Sequence, residues 1–220
     1  MGHQHTLKWN GSKAPSFMCS DCKEPGFESS YICTTRNCSY ILHKECQQPV
    51  KHAVHPFLKN CNFEFTERAS NGGFCDACGK DLLGFFYWCR KTTYALHPCC
   101  LNLKDKILKH DGTVRMTLSH KVPSNCVRCK QRHVVRNQFE GWSYVVNSDE
   151  KSCIHVSCFK DMILENWNTN GDTDNNRSKG KERFILFSKL MFGVLNVLFT
   201  WDPTAIADIV EAIIESFSEH

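Results

Sequence analysis

Charge of one sign is what this sequence most plainly lacks: 27 lysines and arginines stand against 23 aspartates and glutamates, a net charge of +4 over 220 residues. With charges so evenly mixed, and with no basic stripe or helix patterned for base contacts, nucleic acid is disfavoured as a partner. The opening Met1-Gly2-His3-Gln4-His5 has no basic start, apolar run or small-residue cleavage site of a secretory leader. That predicts a reducing, cytoplasmic setting, with the nucleus left open. A thioredoxin-like Trp-Cys-x-x-Cys and a phosphate-cradling glycine loop are also missing, which removes two large groups of enzymes.

What is abundant is cysteine and histidine, 15 and 11 residues respectively. Usage this high implies that metal or sulfur cross-links substitute for large apolar cores. The odd number of cysteines, and their grouping in C-x2-C and H-x2-C pairs, favours zinc over disulfides.

Self-comparison shows one pattern three times. The first copy reads Cys19-x2-Cys22, Tyr31-x-Cys33, Cys38 and Leu42-His43-x2-Cys46. The second reads Cys75-x2-Cys78, Tyr87-x-Cys89 and Leu96-His97-x2-Cys100. The third reads Cys126-x2-Cys129, Trp142-x-Tyr144 and Ile154-His155-x2-Cys158. A C-x2-C pair is a tight turn whose thiolates can converge on one tetrahedral ion, and H-x2-C at the start of a short helix brings two more ligands. Each copy therefore carries a Cys3His set: Cys19, Cys22, His43 and Cys46; Cys75, Cys78, His97 and Cys100; Cys126, Cys129, His155 and Cys158. Buried free thiols beside core histidines would not reproduce the same ordered quartet in every copy.

A second set is visible in the first copy. If His3 to Leu7 is a strand, His3 and His5 share a face and can complete a Cys2His2 site with Cys33 and Cys38. The second copy keeps His52, His55 and Cys89 as a weaker set, with Thr92 and Thr93 where a cysteine is expected. Cys61 or Cys99 could complete it, or it is a metal-free remnant. In the third copy Val146 replaces the first cysteine and Cys153 is displaced, so the second site is read as lost, with His110, His120 and His133 on the surface. About four zinc ions per chain is the expectation, from three Cys3His sets and one Cys2His2 set.

These residues resemble the plant cysteine/histidine-rich family called DC1, a divergent relative of the C1-type zinc domain of protein kinase C. The resemblance rests on His3-x-His5-x-Leu7, Cys19-x2-Cys22, Tyr31-x-Cys33 and Leu42-His43-x2-Cys46. It extends to Gly141-Trp142-Ser143-Tyr144, His155-Val156-Ser157-Cys158 and Glu165-Asn166-Trp167, and to Asp202-Pro203-Thr204-Ala205 in the tail. It implies α+β modules, each a small antiparallel sheet with a short helix and interlocking zinc sites, and roles in signalling, stress or defence. It implies no catalytic activity. Diacylglycerol-binding relatives carry a Gln-Gly that no copy here shows; the aromatics Phe85, Phe86 and Trp88 read as core filling rather than membrane-inserting residues.

The expected organisation is three modules over 1–50, 51–108 and 109–167, a polar linker over 168–183 and a helical hairpin over 184–220. Phe184 to Trp201 is apolar nearly all round and about 27 Å long if helical, against a hydrocarbon core of ~30 Å. Lys189 and Asn196 interrupt it. Asp202-Pro203 then starts an amphipathic helix with Ile206, Ile209, Val210, Ile213, Ile214 and Phe217 on one face. The surplus apolar surface predicts membrane contact or homo-oligomers, and Met1-Gly2-x-x-x-Thr6 makes Gly2 a myristoylation candidate. Four protein ligands close each zinc, so the sites read as structural, the chain as a non-enzyme and its partners as proteins.

Overall fold

The computed structural model describes residues 3–67, 73–108, 114–134, 139–146 and 152–171. Gly2, His110 and everything proposed for the tail from 172 onward, including Phe184 to Trp201, lie outside the described residues.

Three antiparallel sheets follow one another along the chain. The first contains β1 (Leu7–Met18), β2 (Pro25–Cys33) and β3 (Ile41–Leu42) in that order, with α1 (Lys44–Gln47) after it. The second orders β4 (His52–Ala53), β5 (Phe63–Thr66), β6 (Phe86–Trp88) and β7 (Ala95–Leu96), with α2 (Pro98–Leu101) after it. The third orders β11 (Cys153–His155), β10 (Ser143–Val146), β9 (Val114–Ser119) and β8 (Lys106–Leu108), and α3 (Val156–Gly171) follows β11. The register repeats: Tyr31 faces Leu42, Tyr87 faces Leu96 and Tyr144 faces Ile154. In the third copy Tyr144 is therefore the structural equivalent of Tyr31, which puts Val146 where Cys33 stands in the first.

The chain forms two compact units. One takes in the described residues of Met1–Asp76 and Lys80–Asn102, and the other Ala77–Gly79 with the described residues from Leu103 to Gly171. The first two copies thus make one packed body. Phe85, from the second, packs on the core of the first, a cluster of Cys19, Cys22, Leu42 and Cys46 flanked by Leu7, Phe17, Tyr31 and Tyr40. Its N–H donates to the Asp21 carbonyl at 3.0 Å, and the Tyr87 hydroxyl donates to the Val50 carbonyl at 3.2 Å. Gly84 is required at this junction, because a Cβ there would collide with the Asp21 carbonyl oxygen.

The third sheet starts earlier than the spacing places it. Lys106–Leu108, assigned above to the second copy, pairs with β9 and supplies the edge strand of the third sheet. Its Ile107 is fully buried, and the Tyr144 hydroxyl donates to the Lys104 carbonyl at 2.9 Å. The last helix also departs from expectation. It is 16 residues long rather than short, and it runs to Gly171, into the stretch read as linker. Val156, Phe159 and Ile163 recur at helical spacing and are all buried, so one face of α3 supplies apolar cover that four-residue α1 and α2 cannot.

Candidate metal centres

Each C-x2-C pair forms the same knuckle. The N–H of the first cysteine donates five residues on, Cys19 to Glu24 O at 3.0 Å, Cys75 to Lys80 O at 2.8 Å and Cys126 to Gln131 O at 2.9 Å. The residue after the second cysteine is left-handed in every copy, with φ of 60° at Lys23, 70° at Gly79 and 60° at Lys130. The turn must reverse within four residues so that both sulfurs point to one side, and a positive φ is how the backbone does it. The knuckle is then tied to the strand that leads to the ligand histidine. Ser20 N–H donates to Ile41 O at 2.8 Å, Asp76 N–H to Ala95 O at 2.8 Å and Val127 N–H to Cys153 O at 2.9 Å.

The histidine closes each strand, and the helix behind it delivers the last cysteine three residues later. In the first and third copies the imidazole turns Nδ1 towards the sulfurs. In every copy the Nε2–H donates to the carbonyl three residues past the second cysteine: His43 to Pro25 at 3.2 Å, His97 to Asp81 at 3.1 Å and His155 to Arg132 at 3.1 Å. That bond fixes the tautomer in which Nδ1 is free to ligate.

Among the described residues four donor sets come together, each with its ligand atoms within 4.8 Å of one another: Cys19, Cys22, His43, Cys46; Cys75, Cys78, His97, Cys100; Cys126, Cys129, His155, Cys158; and His3, His5, Cys33, Cys38. Zinc at about 2.3 Å from sulfur and about 2.05 Å from nitrogen, with tetrahedral angles, places S and N about 3.6 Å apart. The separations match. From His43 Nδ1 they are 3.3 Å to Cys22 and 3.9 Å to Cys46, and from His155 Nδ1 they are 3.4 Å to Cys129 and 3.8 Å to Cys158. Cys33 lies 3.6 Å from His5 Nδ1, and Cys38 lies 3.7 Å from His3 Nε2.

The electrostatics also ask for a cation. Hydrogen bonding from Cys22 and Cys46 holds the Cys19 thiol far below its ordinary range, whereas Cys46 is pushed far up, first by Cys19. In the third copy hydrogen bonding from Cys158 brings Cys126 down to about 3. Burial opposes charge on His43, but the thiolates of Cys19 and Cys22 override it and raise the imidazole well above its usual value. Cys19 and Cys126 thus stand as the thiolates of their sets, and a proton on His43 or His155 does part of what zinc would do when bound, namely neutralise that charge. Zinc fits all four sets, and in the three Cys3His sets it would supply the cross-link that ties knuckle, strand and helix together.

His3 and His5 reach the fourth set without the strand expected for them. The regular pairing of β1 begins at Leu7, opposite Cys33, so the two histidines precede the strand and fold over its end. His3 stacks on Tyr40 at 3.9 Å between centroids, which positions the ring without a ladder.

The weaker set of the second copy does not assemble among the described residues: no three-donor group contains His52, His55 or Cys89. His52 is exposed on β4, and the His55 Nδ1 accepts the Phe57 N–H at 3.1 Å. Cys61 lies 3.0 Å from the Thr92 hydroxyl, so a Cys–Thr contact occupies the corner where a further ligand would stand. In the third copy Cys153 is buried with Ser124 Oγ at 3.4 Å and joins no donor group, while His120 and His133 are exposed. Phe86 is buried and Phe85 half-buried, as core filling requires, but Trp88 is 37% exposed beside Arg90. Sequence reasoning missed the left-handed residues and the accepting carbonyls; the constant offset of Pro25, Asp81 and Arg132 from the preceding cysteine was the available signal.

Fold and site together define a class: small sheets, each closed by a zinc knuckle and a His-x2-Cys helix start. More particularly, residues 1–47 match the family model of the C1 domain, a family that binds zinc. That match takes in the whole first module with both of its donor sets. No curated protein and no solved structure matches the chain. Among the described residues no helix is long and apolar enough to cross a membrane.

Proposed function

We propose that the protein is a non-enzymatic adaptor or regulator of the DC1 type, acting in plant signalling, stress or defence, whose zinc modules hold a rigid surface against protein partners. The observation that carries this reading is the closed donor set. Four protein donors converge at each Cys3His set, and zinc held tetrahedrally by them would have no position left for an activated water. Zinc there holds shape. The C1-like first module supports a regulatory role, since it brings a zinc-ordered surface and no reacting group.

Cadmium exchange tests the reading. Cadmium suits closed thiolate-rich sites, so the exchanged chain is expected to keep its fold and to bind the partners cross-linked to the zinc form in cells. A solvent-exchangeable ligand on cobalt substituted at any of the three Cys3His sites would overturn the closed-site argument.

A second reading, a membrane-acting effector of defence or cell death, draws on the apolar run from Phe184 to Trp201. Deleting 184–220 abolishes membrane recovery under that reading and leaves zinc content and partner binding unchanged under the first.

A further inference from the structure

Glu24 is buried where a carboxylate needs a reason to be. It follows the left-handed Lys23 in the first knuckle, and its backbone carbonyl accepts the Cys19 N–H. Its side chain, however, leaves the first module: Oε1 lies 3.6 Å from Nε2 of His97, the ligand histidine of the second. Glu24 is 4% exposed and His97 is fully buried. The corresponding positions in the other knuckles are Lys80 and Gln131, so only the first knuckle offers a carboxylate there. The approach is enforced by the junction already described, where Gly84 and Phe85 press against Asp21, and by Asn102 Nδ2 donating to Glu45 at 3.1 Å.

Burying a carboxylate is costly unless it meets positive charge. A zinc-bound imidazole carries part of the ion's charge out to Nε2–H, and the Asp81 carbonyl accepts that hydrogen while Glu24 stands beside it. A carboxylate behind a ligating histidine orients the ring and raises its basicity towards the metal. We propose that Glu24 is a positioning residue for the zinc site of Cys75, Cys78, His97 and Cys100, so that the first module sets how tightly the second holds its metal. The inference rests on zinc being held by those four residues and is independent of any partner.

The test uses the full zinc-loaded chain, with Glu24→Gln, Glu24→Asp and Glu24→Ala, titrated against a chromophoric zinc chelator while the His97 imidazole nitrogens are followed by NMR. Glu24→Gln keeps the shape and removes the charge. It is expected to release one zinc about 10- to 100-fold more readily, with the Nε2 resonance of His97 displaced and the other ions held as in the wild type. Glu24→Asp is expected to recover part of the loss, and Glu24→Ala to lose at least as much as Glu24→Gln. Release from Glu24→Gln matching the wild type, with the His97 resonance unmoved, overturns the proposal. So does a uniform loosening of every site in Glu24→Ala without effect in Glu24→Gln, which marks a packing role alone. A wild-type chain with no zinc on His97 overturns both the ligand assignment and the coupling, and the zinc count separates that failure from the others.

Discussion

Gly26 lies on β2 opposite Phe17, where a Cβ would run into the His43 ring and the Phe17 ring together. Gly26→Ala is therefore expected to displace the His43 imidazole from its sulfurs and to lower the zinc count by one in native mass spectrometry, leaving the third module intact. Cys33 carries a different consequence. Burial acts against its thiolate, but hydrogen bonds from His3 and Thr35 outweigh it and bring the thiol down to about 6. Above that pH the sulfur ligates without first losing a proton, and below it a proton competes with the metal. Zinc affinity at the His3, His5, Cys33, Cys38 set should thus gain proton dependence as pH falls through 6; a chelator competition across pH 5 to 8 would show the added slope, and a Cys33→Ser chain should show a smaller one. At this scale the sequence was highly legible for ligands, because metal chemistry allows few residue types at few spacings. It was silent on Glu24 and Gly26, whose roles depend on what a neighbouring segment brings to them.

At the scale of elements, several pieces of the first two modules are very short: β3, β4 and β7 are two residues long, and α1 and α2 four. Elements this short do not persist alone. Chelation of zinc is expected to abolish the near-ultraviolet circular dichroism of the tyrosines and tryptophans in the first two modules; retention of that signal with all zinc removed would show that packing alone suffices. The third module is built differently. Tyr144 and Phe159 pack with ring centroids 5.3 Å apart, and both are essentially inaccessible to solvent. Phe159→Ala is expected to cost about 3–5 kcal/mol, and Tyr144→Phe about 1 kcal/mol for the lost bond to the Lys104 carbonyl, both measurable by urea denaturation with zinc in excess. The length of α3 could have been read from Val156, Phe159 and Ile163, but the zinc motif at its start drew attention to one turn. The position of β8 was harder to read, since Lys106–Leu108 is short and its sheet is chosen by pairing with distant β9.

For the molecule as a whole, the repeat in the sequence suggests three successive modules, whereas the packing joins the first two into one body. A repeat reports on what each segment can fold into and carries no term for contacts between copies; Phe85 on the first core and Gly84 against Asp21 are such contacts. Hydrogen exchange should accordingly show the knuckle amides of Cys19 and Lys23 slowing only when the second module is zinc-loaded, and Cys78→Ser should speed both. Independent exchange of the two modules would contradict a shared body.

The seating of Phe85 on the first core also bears on how the chain survives its own synthesis. A ribosome that has released residues 1–50 has produced a module whose thiols are spaced for zinc but whose apolar floor still waits for a side chain not yet translated. A premature stop between the two copies would leave that apolar floor permanently open. Cells holding such a truncated product should degrade it rather than tolerate it as a smaller working version.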